Sequence, residues 1–313
     1  MDMNRRMLVQ VSKMYYEDDM TQQQIAERVN VSRMKVSRLL QKAKDEGIVH
    51  IAINYAGIYL ELEKRICQKY QLKDVVIVDT SLGAAAKEQV AAAAAYYLEL
   101  CLKKDATIAV GWGTTIRQIP QYIHSINSRN LVFSPIIGGH GQSELDMHAT
   151  MIAANFAKKT GGKSLSLNAP ALVADKGEKS ILIRDGQIKD VLDCSANADY
   201  AVFSLGNPVV RDSSISKSGY ISEDDLEDLK KAGAICDVVS LTFLNEAAEV
   251  CCKNITDRCI SINPSQLKAI PRKICVVESE EKKKTTKAAL KGGFIDVLIT
   301  DLVIAEYLDT EMV

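Results

Sequence analysis

Residues 21–50 read TQQQIAERVNVSRMKVSRLLQKAKDEGIVH and predict two short helices joined by a tight polar turn. Thr21 is a good N-cap, and Gln24 follows it at the spacing of a capping box, so the first helix begins directly after Thr21. The turn falls at residues 30–31, and Ser32 caps the second helix. A helix pair of this size is typical of helix-turn-helix proteins, whose second helix enters the DNA major groove.

The spacing of apolar residues divides each of these helices into an inner and an outer face. Ala26 in the first helix is small enough to let the second helix cross it closely. The residues expected to point inward are Ile25, Ala26 and Val29 in the first helix and Val36, Leu39, Leu40 and Ala43 in the second. The residues left facing outward on the second helix are Arg33, Met34, Lys35, Ser37, Arg38, Gln41 and Lys42.

This basic outer face favours double-stranded operator DNA as a partner, although many solvated surface helices are equally basic. Arg33, Lys35 and Arg38 lie in the first two turns, the part that reaches base edges, and no acidic residue follows before Asp45. We expect these cations and Ser37 to contact or approach bases, while other residues hold phosphates. The predicted DNA-binding set is Thr21, Gln22, Ser32, Arg33, Lys35, Ser37, Arg38 and Lys42, with Lys44 as a further phosphate contact.

The segments that flank the helix pair contain further residues whose roles can be predicted. Tyr15 and Tyr16 precede the pair, and either can donate a hydrogen bond to a phosphate, but packing under the pair is favoured for Tyr15. Gly47 suits the left-handed position that follows many helices. Residues 48–54, IVHIAIN, alternate in the manner of a strand and predict a small wing beside the helices.

Length and composition bound the rest of the chain. With 313 residues and 47% hydrophobic content, the chain exceeds what a DNA-binding unit of about fifty residues needs. We therefore expect two domains, a DNA-binding domain at residues 1–54 and a larger body with its own core at residues 55–313. The formal net charge is −1, so attraction to DNA comes from a local patch and not from the whole chain.

The cysteines and the apolar segments favour a cytoplasmic protein. The eight cysteines are scattered, without C-x-x-C pairs or zinc-type Cys/His spacing, which favours reduced thiols and no bound metal. The first twenty residues lack the long apolar core of a signal peptide, and the alanine run at 91–95 is too short to cross a bilayer. We expect no contact with a membrane.

Beyond the helix pair, short apolar runs alternate with helical patterns, which predicts an α/β body with a mostly parallel sheet covered on both faces. The predicted helices are 60–70 and 87–103, and the predicted strands are 75–80, 107–110, 131–137, 164–167, 200–205, 273–278 and 297–300. Ligands in such sheets sit at the carboxyl ends of the strands, so the loops that follow the strands are the candidate binding loops.

Two glycine-rich loops follow predicted strands. The first, GWGTT at residues 111–115, offers backbone amides and two hydroxyls at a helix start, which suits a phosphate. Ile116 stands where a dinucleotide fingerprint requires its third glycine, and the P-loop lysine is missing, so NAD and ATP are disfavoured and no cofactor is expected. The second loop, GGHG at residues 138–141, is predicted to form the opposite wall of a shared pocket, with a ligand-free tight turn as the alternative.

Five motifs follow one another in the order found in a known family. They are the helix pair at 21–49, GWGTT at 111–115, PIIGG at 135–139, AGAICDV at 232–238 and SEEKKKTTKAALKGGFIDVLITD at 279–301. Through them nearly the whole chain resembles the SorC family of bacterial transcription regulators, and SEEK and PIIGG resemble its sorbitol or sorbose branch. The resemblance implies an effector domain similar in fold to sugar-phosphate isomerases and glucosamine-phosphate deaminases, with phosphorylated sugars or polyols as effectors.

The resemblance also implies site residues. The family's phosphate loop matches residues 111–115, its pocket aspartate matches Asp237, and its pocket lysine matches Lys282. A lysine complements a phosphate as a point charge, and an aspartate accepts hydrogen bonds from ligand hydroxyls. Composition alone favours a different interpretation, in which Lys282 is a solvated charge in the run 282–284. The predicted effector-binding set is Gly111, Gly113, Thr114, Thr115, Gly138, Gly139, His140, Asp237 and Lys282.

The chain departs from the family pattern before Lys282, and it differs from some members before the second glycine pair. Family members commonly have a glycine pair four and three residues before the lysine, where this chain has Glu278 and Ser279. A more polar and more acidic approach to the ligand is therefore expected. Members that hold their effector covalently place a lysine directly before the second glycine pair, and Ile137 at that position excludes a Schiff base.

The sequence thus predicts a transcriptional regulator, not an enzyme, whose operator binding is controlled by a phosphorylated sugar or polyol. The alternative is a sugar-phosphate isomerase-like or deaminase-like enzyme with an appended DNA-binding domain, but no spacing pairs the available acid–base groups. Those groups are Asp146, His148, Asp175 and Asp237. A body that serves assembly alone is a third alternative. Specific binding by so small a helix pair needs at least a homodimer on two half-sites, and the resemblance suggests a homotetramer.

Overall fold

The computed structural model describes residues 3–49, 58–81, 86–124, 126, 130–139, 147–210, 213, 215, 221–238 and 241–311. Contacts within the chain divide it into an N-terminal unit, Met1–Ala56, and a C-terminal unit, Gly57–Val313. The predicted domain boundary after residue 54 falls at residues 50–57, which lie outside the described residues, as does most of the predicted wing.

The N-terminal unit contains the predicted helix pair. Its helices are α1 Met3–Tyr16, α2 Gln22–Arg28 and α3 Arg33–Asp45. Thr21 and Gln24 form the predicted capping box at the start of α2, and the Ser32 hydroxyl accepts from the Lys35 amide at the start of α3. Asn30 has a φ of 52° in the turn, and Gly47 has a φ of 67° after α3, so the predicted left-handed position is confirmed.

The core of the N-terminal unit lies between these three helices. Its buried members are Val11, Ile25, Ala26, Val36 and Leu40. Tyr15 is partly buried against them, as predicted, while Tyr16 is exposed and has the Lys44 ammonium 6.0 Å from its ring centroid. Val29 and Leu39 are only partly buried. Helices this short are marginal alone in water, so packing across this core stabilises them.

A seven-stranded parallel sheet forms the centre of the C-terminal unit, in the order β1-β11-β10-β5-β2-β3-β4, and confirms the predicted α/β architecture. Its strands are β1 Asp74–Val78, β2 Thr107–Val110, β3 Val132–Pro135, β4 Lys163–Ser164, β5 Tyr200–Phe203, β10 Arg272–Val277 and β11 Val297–Asp301. The predicted strands 131–137 and 164–167 are therefore shorter than expected.

Alternate residues of the central strands face two separate hydrophobic cores, because side chains on a strand point to opposite faces of the sheet. One core receives Ala109, Phe203, Cys275 and Leu298, and the other receives Ile108, Val202, Ile274 and Ile299. Burial on both faces explains why these strands are continuous apolar runs in the sequence.

Helices cover both faces of this sheet. They are α4 Leu60–Tyr70, α5 Ala86–Cys101, α6 Ala149–Thr160, α7 Lys176–Leu182, α8 Gly186–Ala196, α9 Glu223–Lys231, α10 Lys253–Thr256, α11 Pro264–Ala269, α12 Lys283–Lys291 and α13 Leu302–Thr310, with 3-10 helices at Ile116–Tyr122 and Glu280–Lys282. The alanine run lies in α5, where Ala91, Ala94 and Ala95 are fully buried against the sheet. Among the described helices, none combines the length and apolarity that a bilayer crossing requires.

A second sheet of four short antiparallel strands was not predicted from the sequence. Its strands are β6 Leu205–Gly206, β7 Cys236–Val238, β8 Thr242–Leu244 and β9 Val250–Cys251, in that order. The predicted strand 200–205 is in fact two strands, because the chain leaves the parallel sheet at Ser204 and enters the antiparallel one at Leu205. Asp237 lies in the middle of β7.

Candidate functional site

The outer face of α3 is a continuous exposed surface. Arg33, Lys35, Ser37, Arg38 and Lys42 are all exposed, as the helical spacing predicts. Within the described residues, no carboxylate pairs with the first three cations of this face, whereas the Lys42 ammonium lies 3.5 Å from Glu46. Unpaired cations are free to meet phosphates and base edges.

The Thr21 and Ser32 hydroxyls, which cap the two helices, differ in their remaining capacity to form hydrogen bonds with DNA. The Thr21 hydroxyl accepts from the Gln24 amide at 3.3 Å and donates to the Gln24 side chain at 3.0 Å. The Ser32 hydroxyl accepts from the Lys35 amide at 3.2 Å, and its own proton is not used in the described contacts. Thr21, Gln22 and Arg33 line the same cleft, which has a volume of about 590 Å³.

The second candidate site lies at the carboxyl ends of three adjacent parallel strands, the usual ligand position in such sheets. Strand β2 leads into the loop 111–115, β5 leads into Ser204, and β10 leads into Glu278. The Gly111 amide donates to the Val202 carbonyl at 2.9 Å, so it extends the sheet and is not available to a ligand. Gly113 has a φ of 127°, which L residues rarely adopt.

A small deep cavity of about 40 Å³ lies between this loop and the antiparallel sheet. Its lining residues are Trp112, Gly113, Thr114, Thr115, Ser204, Leu205, Gly206, Asp237 and Lys282. Two buried polar atoms here, Ser204 Oγ and Asp237 Oδ1, have no hydrogen-bond partner in the described part of the chain. Buried polar groups are normally paired, so these atoms are suited to a polar ligand.

Burial changes the chemistry of Asp237, which is 3% exposed. The cost of keeping a charge out of water raises the pKa of its carboxyl to about 7, although the Leu241 amide opposes this rise. Near neutral pH the carboxyl is therefore divided between its protonated and ionised forms. It can donate a hydrogen bond in one form and accept in the other.

An outer cavity of about 260 Å³ adjoins the deep one and shares Thr114, Leu205 and Lys282 with it. Its other lining residues are Lys87, Asn207, Val210, Ser213, Glu278, Ser279 and Glu281. Lys282 therefore lies where the two cavities meet. These joined cavities, the deep and the outer one, are the candidate effector site.

Lys282 is not the solvated charge that composition favours. Its side chain is 22% exposed, whereas the side chain of Lys284 is 67% exposed and pairs with Glu246 at 2.9 Å. Burial lowers the pKa of the Lys282 ammonium, Glu278 raises it, and the nearby Lys87 lowers it further. An anionic ligand would compensate both lysines.

Glu278 and Thr115 meet at the base of this site. The Thr115 hydroxyl donates to Glu278 Oε1 at 3.1 Å, and the Lys282 ammonium lies 4.0 Å from the same oxygen. Thr115 is 1% exposed, so its hydroxyl is committed to Glu278. Thr114 lines both cavities and is the threonine that remains available to a ligand.

Gly138 and Gly139, the two described residues of the second glycine loop, line neither cavity, which corrects the expectation that they form the opposite wall. The Gly138 and Gly139 amides donate to the Ile260 and Ala169 carbonyls at 3.0 and 2.8 Å. The antiparallel sheet, with Gly206 and Asp237, is the opposite wall of the deep cavity instead. His140 lies outside the described residues.

We expect Gly138→Ala to lower the free energy of unfolding by about 2 kcal/mol, because overpacking forces the backbone to move. A Cβ at this position would stand 2.4 Å from the Pro170 carbonyl oxygen. Gly139→Ala is the matched control, since its Cβ would meet the His148 ring at 3.3 Å and a side chain can shift. Urea unfolding measures both; equal stabilities of the two variants would contradict this packing role.

Of the four acid–base candidates, the structure gives Asp175 a capping role. Asp175 accepts from the Gly177 and Glu178 amides as the N-cap of α7, and Asp146 lies outside the described residues. Three residues of the candidate site, Lys87, Ser204 and Glu278, were not predicted as ligand contacts. Glu278 ends the predicted strand 273–278 and Ser204 is the last residue but one of the predicted strand 200–205, so the strand-end rule is the signal that points to them.

Comparison with known proteins places these units in context. Residues 57–308 match the family model described as "Putative sugar-binding domain", and residues 10–45 match "Sigma-70, region 4". The chain is 30% identical to the sorbitol operon regulator of Klebsiella pneumoniae over 97% of each chain. It is 29% identical to the deoxyribonucleoside regulator of Bacillus subtilis (strain 168) over 96% of each. The crystal structure of full-length sorbitol operon regulator SorC from K. pneumoniae has a TM-score of 0.76, with 27% identity and coverage of 98% of this chain and 99% of that one.

Proposed function

The chain belongs to the SorC family of DNA-binding transcriptional regulators, and we propose that a phosphorylated sugar or polyol, bound in the joined deep and outer cavities, controls its operator binding. The observation that carries this proposal is the position of Lys282 between the two cavities. The outer cavity offers lysine cations for a phosphate, and the deep cavity offers unpaired polar atoms for ligand hydroxyls.

The outer cavity suits the phosphate. Lys87 and Lys282 supply two positive charges there, and Thr114 supplies a hydroxyl donor. A phosphate bound to an ammonium gains charge-assisted hydrogen bonds, which are about twice as strong as neutral ones. The negative charge of the phosphate also offsets the desolvation that lowers the pKa of Lys282.

The deep cavity, at about 40 Å³, has room for one or two hydroxyls of a sugar or polyol whose carbon chain extends into the outer cavity. Ser204 Oγ and Asp237 Oδ1 are buried without partners in the described residues, and a ligand hydroxyl can both donate and accept. A hydroxylated ligand can form hydrogen bonds with both buried groups. The site therefore favours it over an apolar ligand, because an unpaired buried polar group is costly.

For the output, we propose that Arg33, Lys35, Ser37 and Arg38 contact or approach bases of double-stranded operator DNA. Thr21, Gln22, Ser32 and Lys42 complete the predicted set as phosphate contacts. The protein works as a homodimer or homotetramer in the cytoplasm, with residues 1–54 as its DNA-binding domain. The effector changes operator affinity only to the extent that it prefers one state of this assembly over another.

The test is a ligand titration of the full-length protein. We expect sorbitol 6-phosphate or another sugar monophosphate to raise the melting temperature and to change operator binding without being converted, whereas free sorbitol does neither. A panel of phosphorylated pentoses, hexoses and hexitols extends the titration. Absence of any response across this panel would refute the proposal, and conversion of a ligand would favour the enzyme alternative.

We expect Lys282→Met to weaken binding of the responding sugar phosphate roughly tenfold to a hundredfold, because a charge-assisted phosphate contact is lost. Operator binding without ligand should stay unchanged. Lys284→Met is the matched control, since Lys284 is exposed and pairs with Glu246 away from both cavities. Isothermal titration calorimetry measures the affinities. If both variants bind like the parent, Lys282 has no role in phosphate binding.

A further inference from the structure

We propose that Glu278 is a specificity residue of the effector site: its carboxylate accepts a hydrogen bond from a ligand hydroxyl and rejects ligands that carry a second anionic group. This inference rests on the proposed function and refines its substrate class. It selects polyhydroxylated ligands with one phosphate over bisphosphates and phosphorylated sugar acids.

The position of the Glu278 carboxylate leaves one of its oxygens available to a ligand. Glu278 follows the last residue of β10, and its side chain is 9% exposed. One oxygen, Oε1, accepts from the Thr115 hydroxyl at 3.1 Å. The other oxygen, Oε2, has no donor in the described part of the chain, and the residue lines the outer cavity. A ligand hydroxyl in that cavity can therefore donate to it.

The Glu278 carboxylate lies near the Lys282 ammonium but does not form a hydrogen bond with it. The 4.0 Å between the Lys282 ammonium and Glu278 Oε1 exceeds hydrogen-bond distance. The carboxylate thus attracts the ammonium without using its three donors, which stay available to a phosphate.

The charged residues that line the outer cavity are balanced between cations and carboxylates. Two cations, Lys87 and Lys282, face two carboxylates, Glu278 and Glu281. A single phosphate can use both lysines. A second phosphate finds no further cation among the described lining residues, and the buried Glu278 repels it with little screening by water. The glycine pair that the family pattern has here would supply no such repulsion.

The test compares ligands that differ by one phosphate: fructose 6-phosphate with fructose 1,6-bisphosphate, and inorganic phosphate with pyrophosphate. Calorimetry on the full-length parent should give at least tenfold tighter binding of the monophosphate in each pair. Glu278→Gln keeps an acceptor for Thr115 but removes the charge, and it should reduce this preference at least tenfold. Glu278→Asp keeps the charge and should retain the preference.

Glu281→Gln is the matched control, because Glu281 lines the same cavity but is exposed, so solvent screens its charge. We expect it to leave the preference within about twofold of the parent. Equal binding of both ligands by the parent would overturn the inference, and so would an equal shift in Glu278→Gln and Glu281→Gln. If the parent binds no phosphorylated ligand, the proposed function itself fails. Binding of monophosphates with an unaltered preference in Glu278→Gln overturns only the role of Glu278.

Discussion

Replacing Asp237 with asparagine is expected to raise the free energy of unfolding at pH 8 by up to about 4 kcal/mol. Burial raises the pKa of this carboxyl to about 7 in the folded chain, from its ordinary value of 3.8. Between these two values the folded state holds a proton that the unfolded state has released. The parent therefore loses stability as the pH rises through this window, whereas asparagine has no proton to lose.

Urea unfolding from pH 4 to pH 8 measures this effect. The stability gain should be small near pH 4 and largest above pH 7. Asp225→Asn is the matched control, because Asp225 is also buried but pairs with Arg258 at 2.5 Å, so its loss should destabilise the protein. A gain in Asp237→Asn that is the same at every pH would show that ionisation of Asp237 is not its source. Such gains commonly cost function, so the effector response should weaken.

Replacing Arg33 with alanine is expected to cost about 1–3 kcal/mol per half-site on the specific operator. A dimer on two half-sites doubles the loss to about 2–6 kcal/mol, if the contacts are independent. Arg33 is exposed at the first position of α3, the end that reaches base edges in helix-turn-helix proteins. It lies outside the core of the N-terminal unit, so thermal stability should not change.

Fluorescence anisotropy on operator and scrambled duplexes at one salt concentration separates base contact from phosphate contact. A base contact loses affinity for the operator alone, and a phosphate contact loses it on both duplexes. Arg184→Ala provides a matched arginine, exposed in the C-terminal unit. Operator affinity of Arg33→Ala equal to that of the parent would remove Arg33 from the recognition face.

The N-terminal unit was predictable because local rules determine it. Thr21 and Ser32 cap their helices through residues three positions later, and Val36 and Leu40 recur at helical spacing. The parallel strands were predictable for a similar reason, since burial on both faces makes them continuous apolar runs. In contrast, strands of two or three residues, such as the one that holds Asp237, are too short to show any period.

The candidate site was predictable only in part because it depends on contacts between distant segments. The loop 111–115 and Lys282 were found through motifs. Glu278 departs visibly from the family's glycine pair, but its bond to Thr115 joins residues 163 positions apart. Gly138 was assigned to a ligand wall because glycine suits close approach; the close neighbour is the Pro170 carbonyl, which no local pattern reveals.

The pairing of β1 with β11 has a consequence for synthesis on the ribosome. About 220 residues separate the two strands, so β1 waits roughly 10–45 s for its neighbour at typical translation speeds. The core of the N-terminal unit is formed by residues that all precede β1 in the chain. A chain that stalls before β11 would therefore contain a finished N-terminal unit and a β1 edge without its partner strand. Unpaired strand edges pair readily with other chains, so such products are expected to aggregate until proteases remove them.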